Sequence, residues 1–433
     1  MDFLEEREDA MRTYAFGWDF GNTETGAVMI VRGKQIRFTT PTTFVRVDTT
    51  TMQSLASLES GEEVEQMNGR SKAKTKGNVA PSVVAVDNPN GPPSVIEPDT
   101  IIVQLQGESM SFAFGHYALL QKGDPWTGRG DHQRYASSYA LRGMLAASAL
   151  MQTDKEYGLY VVAGLPAGYY LDHPTLRDAI KARLNGTHTF TLDGGQTWRT
   201  AHIKVAAIMM EGAGALITYP NLSKMSEAAV IDIGGGTSDL YAQLGATPID
   251  DFCKGTPVAV ESATTILKKS FFQEFQRQLA DKEARDIMRA FGSGKKKHFP
   301  QIAAFGKLVP IETLQTMVEE AVASIAEDIV GFISATWGDA IARFTPILLI
   351  GGGAYYFFDA VKNRIEHVIE HADPTFANAI GYATLAARKL LKKTQEAAAE
   401  KAKVVVVEAG VVVVEIGSGA ELQEVGAGVA SQE

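Results

Sequence analysis

The chain has 433 residues, of which 45% are apolar and 21% charged, with 41 glycines, 16 prolines and a formal charge of −10. That length exceeds one ordinary hydrophobic core and predicts two domains, or one fold built from two large halves, while the composition excludes a fibrous or wholly disordered chain. The acidic balance opposes nucleic-acid binding by the surface as a whole, and the one basic cluster, Lys295–His298 in GSGKKKHFP, reads as a solvated loop.

Met1–Arg12 is mainly acidic and no apolar run reaches the roughly twenty residues that span a bilayer, so neither export nor membrane contact is expected. Tyr14–Asp19 and Gly26–Arg32 flank the turn FGNTETG and predict a hairpin. Residues 48–78 lose periodicity and gain Thr, Ser, Glu and Lys, which reads as a surface insertion before a strand at Ser82–Val86. From Tyr135 to Met151 the spacing of Leu141, Met144, Leu145 and Ala149 predicts an amphipathic helix, followed by a buried strand at Gly158–Ala163 and the stretch GLPAGYY. Asp172–Leu184 reads as a helix, and His188–Thr191 and Trp198–Ile203 as strands around DGGQ.

The second half opens with a strand ending in Asp232 and a triple glycine. Cys253, the sole cysteine, excludes an internal disulfide and a multi-cysteine zinc site and fits a reducing cytoplasm. Val258–Phe291 and Ile311–Ala335 are helix-rich; the run Pro346–Ile350 meets a second triple glycine, and a last helix covers about Ala377–Lys393. The tail 404-VVVVEAGVVVVEIG-417 writes one seven-residue unit twice. Its valines favour β structure; a terminal hairpin or a disordered tail is one reading, and a strand added to a neighbouring subunit is the other. Strands alternating with helices in both halves predict an α/β class, two related halves with sheets covered by helices.

Glycine clusters follow apolar strands at Gly234–Gly236 and Gly351–Gly353, and Asp19–Asn22 forms a similar acid-led turn. Without Cβ atoms in the way, backbone N–H groups approach an anion closely, which points to phosphate chemistry. Asp19 and Asp232 each precede such a turn, and two acids converging from two halves could hold a hydrated Mg²⁺ beside phosphates. Either acid alone is an ordinary turn residue. GSGKKK is not a Walker A loop, EGAGAL is not GxGxxG, and HExxH and Ser or Cys nucleophile motifs are absent.

The ordered series 19-DFGNTETG-26, 164-GLPAGYY-170, 211-EGAGAL-216, 232-DIGGGTSD-239, 350-IGGGA-354 and 378-NAIGYATLA-386 resembles the actin-like ATPase superfamily over about residues 14–393. Within it, the chain looks most like the ParM/StbA-type filament formers associated with plasmid segregation. The resemblance implies two α/β halves with ribonuclease-H-like cores around a nucleotide cleft. An N-terminal extension (1–13) would precede a first domain of 14–222 plus 374–395 with an insertion at 48–80; a second domain of 223–373 and a flexible or β-prone tail (396–433) would complete the chain.

It also implies ATP or GTP with Mg²⁺ in the cleft. Gly21, Asn22 and Thr23 would line one phosphate turn and Gly234, Gly235, Gly236 and Thr237 the other, with Gly351, Gly352, Gly353 and Ala354 against the nucleoside. Asp19 and Asp232 would hold Mg²⁺ through water, and Glu211 would orient the attacking water or take its proton. Asp239 caps the turn or stabilises the loop in this reading. One departure concerns charge: many relatives carry lysine where this chain has Gly26. The heat-shock chaperone ATPases supply it from a later segment, which 81-PSVVAV-86 and 115-GHYA-118 resemble, but Leu119 stands at its position, with Lys122 nearby. The implied function is a polymerising ATPase whose filaments move or position DNA or another cargo, as in plasmid segregation, with self-association as its main partnership and a DNA-binding adaptor as a candidate partner. An ATP-binding scaffold of the pilus-assembly or cell-division kind and a small-molecule kinase are the alternatives.

Overall fold

The structure is a computed structural model that describes residues 11–48, 94–121, 125–220, 222, 226–294 and 298–408. The insertion at 49–80, the strand expected at Ser82–Val86, Lys122, Lys295–Lys297 and the second valine run lie outside the described residues.

The first sheet contains β1 (Thr13–Phe20), β2 (Glu24–Val31), β3 (Lys34–Pro41), β4 (Phe44–Val47), β5 (Val95–Ile96), β6 (Ile101–Leu105), β7 (Ser111–Phe114), β8 (Glu156–Leu165), β9 (Gly186–Thr191) and β10 (Trp198–Met210). Its centre runs β3-β2-β1-β8-β10: a hairpin pairs β1 with β2, and β8 and β10 continue parallel to β1. β1 and β8 are covered on both faces, which is why they read as near-continuous apolar runs instead of alternating ones.

The second sheet repeats that plan. It contains β11 (Glu227–Ile233), β12 (Ser238–Leu244), β13 (Thr247–Pro248) and β14 (Lys254–Thr256), then β17 (Ile347–Ile350) and β18 (Val368–Glu370); the small hairpin of β15 (Ala303–Ala304) and β16 (Lys307–Leu308) lies apart. β11 pairs antiparallel with β12 and parallel with β17, which is followed by parallel β18. The expectation of an α/β fold with two related halves is met. One apolar core gathers Phe16, Trp18, Met144, Leu145 and Val161, and another Ile231, Leu267, Ile329 and Leu349. A smaller cluster, with Met210, Val230, Leu348 and Ala377, joins elements of the two halves.

Several expected helices are divided. The segment predicted as one helix from Tyr135 is a 3₁₀ turn at His132–Ala136 followed by the helix Ser138–Leu150, because Ser137 accepts from the Ala140 N–H at 3.3 Å and starts the helix there. The segment predicted as a helix from Asp172 ends one helix, Ala167–Asp172, and resumes at Leu176–Leu184; Pro174 separates them by disfavouring helical backbone before it and removing a donor. The last helix runs Ala377–Glu408, past the expected end at Lys393. Its residues through Arg388 belong to the main body, and Lys389 begins a separate unit, within which Lys392 pairs with Glu396 at 3.8 Å. Val404–Val407 are therefore helical, not β as expected. Extending an existing helix costs far less than nucleating a new element, and the preceding TQEAAAEKAK is strongly helix-forming.

Candidate functional site

β1 and β11 each deliver an acid and then a four-residue turn. In the first hairpin Asp19 lies opposite Gly26 and Phe20 opposite Thr25; in the second Asp232 lies opposite Asp239 and Ile233 opposite Ser238. The intervening turns meet each other. A Cβ on Gly235 would fall 1.5 Å from Thr23 Oγ1, and one on Gly236 would fall 2.6 Å from Asn22 Cβ, so glycine is required by the approach of the facing turn. Gly234 N–H closes its turn on Thr237 O at 2.8 Å, and Gly235 O accepts from Glu261 N–H at 2.8 Å, seating the turn on the first residues of the helix Val260–Phe275. After β17, Gly353 N–H donates to Ile233 O at 2.7 Å, which ties the second glycine cluster to the end of β11.

A cleft of about 500 Å³ lies between these turns. Asp19, Gly21, Asn22, Thr23, Glu211, Asp232, Gly234, Gly235, Gly236, Thr237, Gly351 and Gly352 all border it. Gly353 and Ala354 are buried behind it and open the helix Ala354–Arg364. Asp239 also stands back: its Oδ1 accepts from Ala167 N–H at 2.9 Å, fixing the helix Ala167–Asp172 to β12.

Glu211, Asp232 and Asp239 are buried and Asp19 is partly so. Burial, then repulsion from Asp232 and Asp239, pushes Asp19 up to about 7. Burial and the Asp232 charge raise Asp239 to about 7, and burial raises Asp232 to about 6 against the opposing hydrogen bond from Asn378. Glu211 lies well above the usual carboxylate range, through burial and then the charges of Asp19, Asp239 and Asp232. Such crowding of acids raises their affinity for a cation as well as for protons. Among the described residues no three His, Cys, Asp or Glu side chains form a metal cage. The oxygen-only pair Asp19 and Asp232 fits a hard, water-retaining ion such as Mg²⁺ held beside phosphates, and Glu211 Oε1 is buried with no partner.

Four side chains at the site have no site role assigned from the sequence, although Asn378 opens the stretch NAIGYATLA. Arg134, fully buried on the 3₁₀ turn, donates to Asn22 Oδ1 and, at 2.7 Å, to Gly21 O, with its guanidinium 4.7 Å from the Phe20 ring centre. It braces the first turn and brings positive charge toward Asp19 and Glu211, on the side of the cleft where Gly26 supplies none. Asn378 donates to Asp232 Oδ2 at 2.7 Å and accepts from Gly212 N–H at 3.0 Å, so one amide aligns both Asp232 and the turn holding Glu211. Arg285 and Arg289, on the helix Asp281–Gly292, reach across to the first half. Arg285 lies 3.7 Å from Glu24 and donates to Thr23 O at 3.4 Å; Arg289 pairs with Glu24 and, at 3.0 Å, with Glu97. Both border the cleft, as does Leu119 at the position where the chaperone ATPases carry lysine.

Two family models match. The actin-like protein N-terminal domain covers residues 63–214, and the C-terminal domain of archaeal MreB-like actin homologues covers residues 230–363. No curated protein sequence matches the chain significantly. Among solved structures, the archaeal actin homologue Ta0583 superposes with a TM-score of 0.61 at 18% identity, over 87% of this chain and 100% of its own. A 15-stranded ParM filament from Clostridium botulinum gives a TM-score of 0.60 at 16% identity over the same shares, 87% and 100%. Ta0583 in complex with ADP gives 0.60 at 19% identity, covering 87% of this chain and 100% of that one. With the two family models following one another along a fold built twice on one plan, the chain belongs to the actin-like superfamily.

Proposed function

We propose that this protein is a polymerising ATPase that binds ATP, or GTP in the same cleft, with Mg²⁺, and that its filaments move DNA through a separate DNA-binding adaptor. The observation that carries this reading is the meeting of two topologically equivalent turns, Gly21–Glu24 and Gly234–Thr237, across one cleft with an acid at the root of each. Backbone N–H groups of both turns would hold the terminal phosphates, and Gly351 and Gly352 would let the nucleoside lie against the main chain. Asp19 and Asp232 would hold the hydrated Mg²⁺, which when bound offsets the charge of the phosphates and of the acids themselves. Glu211 would orient the attacking water and take its proton. Residues 14–222 with 374–388 would move as one domain against 223–373, carrying the two turns toward each other around the nucleotide.

A ParM filament and an ADP complex among proteins of this fold support the assembly and nucleotide parts of the reading. ATP favours assembly in this scheme because the closed cleft presents a different subunit surface from the open one, and hydrolysis removes that bias. Sedimentation and light scattering with ATP, ADP and a non-hydrolysable analogue test it across a concentration series. Assembly with ATP and the analogue and its loss with ADP is the expected result. Nucleotide binding without assembly at any concentration would leave an ATP-binding scaffold in its place.

A further inference from the structure

Among the described residues, buried side-chain atoms without a hydrogen-bond partner are mostly donors; Glu211 Oε1, when the group is ionised, can only accept. A second orphan, a donor, belongs to the same cleft. Tyr135, 3% exposed on the turn His132–Ala136, carries a buried hydroxyl with no partner, borders the same cleft and is close enough for the Glu211 charge to act on that hydroxyl. Its ring is held edge-on by Phe20 at 6.1 Å and by Tyr169 at 6.0 Å, and its neighbour Arg134 grips the first turn. Each unmet buried polar group costs about 1–3 kcal/mol, so two of complementary kind lining one cleft call for a state in which both are met.

We propose that Tyr135 is a positioning residue of the hydrolytic step: once nucleotide fills the cleft, the Glu211 side chain turns so that the Tyr135 hydroxyl donates to Oε1, leaving Oε2 facing the attacking water. This role rests on the ATPase reading above. In the step itself the water oxygen bonds to the γ-phosphorus while that phosphorus parts from the β,γ-bridging oxygen, whose electron pair leaves with ADP. One water proton passes to Glu211 Oε2 and on to solvent, the other stays on the released phosphate, and Tyr135 remains neutral. A carboxylate held by one oxygen presents the other in a single direction, the geometric condition for efficient proton transfer.

Tyr135→Phe removes one oxygen and keeps the ring. The expected result is a drop in kcat for phosphate release of about tenfold to a hundredfold, with unchanged affinity for ATP and its non-hydrolysable analogue. The nucleotide-free variant should melt no lower than the wild type, because it loses an unsatisfied hydroxyl. A purely structural tyrosine gives a different pattern, with melting temperature and affinity falling together, and that outcome overturns the role. Equal kcat in an active wild type and the Phe variant overturns this role alone. A wild type that binds ATP but releases no phosphate overturns the ATPase reading and this role together.

Discussion

The two phosphate-turn hairpins share a topology but divide the labour at their tips. The turn after β1 carries the side chains of Asn22, Thr23 and Glu24, and side chains brace it: Arg134 from beneath and Arg285 from across the cleft. The turn after β11 is bare glycine from 234 to 236, and main chain holds it, through Gly353 N–H on Ile233 O and Glu261 N–H on Gly235 O. One wall can present side-chain chemistry because the other has given up side chains. The acids follow the same division. Asp19 faces Gly26 and has room, whereas Asp232 faces Asp239 and is held by Asn378.

The sharpest way to break this comparison is to remove the acid from each wall in turn. Asp232→Ala should lower Mg²⁺-dependent phosphate release by about a hundredfold or more with the fold intact, since charge stabilisation at the phosphates is the largest contribution to such catalysis. Phosphate release alongside circular dichroism measures it, and unchanged turnover would remove Asp232 from the site. Asp19→Ala should cost less than this, because Asp19 is the more solvated of the two.

Next comes the bare turn. Gly235→Ala drives a methyl into Thr23 Oγ1 and should destabilise the protein by about 1–3 kcal/mol, as overpacking does, while weakening nucleotide binding. Adding Thr23→Ala should recover part of that loss. Strict additivity of the two changes in a chemical-denaturation cycle would show that the turns do not touch.

The smallest effect is a pH profile. Asp19 and Asp239 near 7 and Asp232 near 6 all lie above their ordinary value of 3.8, so between about pH 4 and 7 the folded state binds more protons than the unfolded one. The stability these groups contribute is complete below pH 4 and is lost as pH rises through 6 and 7. Free of metal and nucleotide, the protein should therefore melt lower at pH 8 than at pH 5, and the stabilisation by Mg²⁺-ATP should grow over the same interval. Thermal melts in matched buffers decide it; a profile flat in both conditions contradicts the crowded-acid picture.

The first hairpin, the strand that ends at Asp232, both acids and the two glycine clusters were legible in the sequence because each is a local pattern, an apolar run broken by residues that tolerate a tight turn. The fold class followed from strands and helices alternating in order. Arg134 and Asn378 were not legible as site residues. Arg134 meets Asn22 across 112 positions and Asn378 meets Asp232 across 146, and a single long-range side-chain bond leaves no periodic trace. The spacing around Tyr135 is compatible with a helix, and only the cap at Ser137 separates the turn that faces the cleft from the helix behind it. The valine run at 404–407 misled for a related reason: its intrinsic preference was clear, but its state is decided by the helix it extends.

The arginine bridges at the cleft bear on time as well as on geometry. Arg289 spans from the second half to Glu24 and Glu97, and Arg129 reaches Glu261 from the other direction at 2.9 Å. These pairs tie the two halves together beside the cleft, so opening the cleft for a guest to enter or leave would part them. Ion pairs this exposed are screened by dissolved salt, which makes the exchange of cleft contents faster in concentrated electrolyte even where the chemistry inside is unchanged.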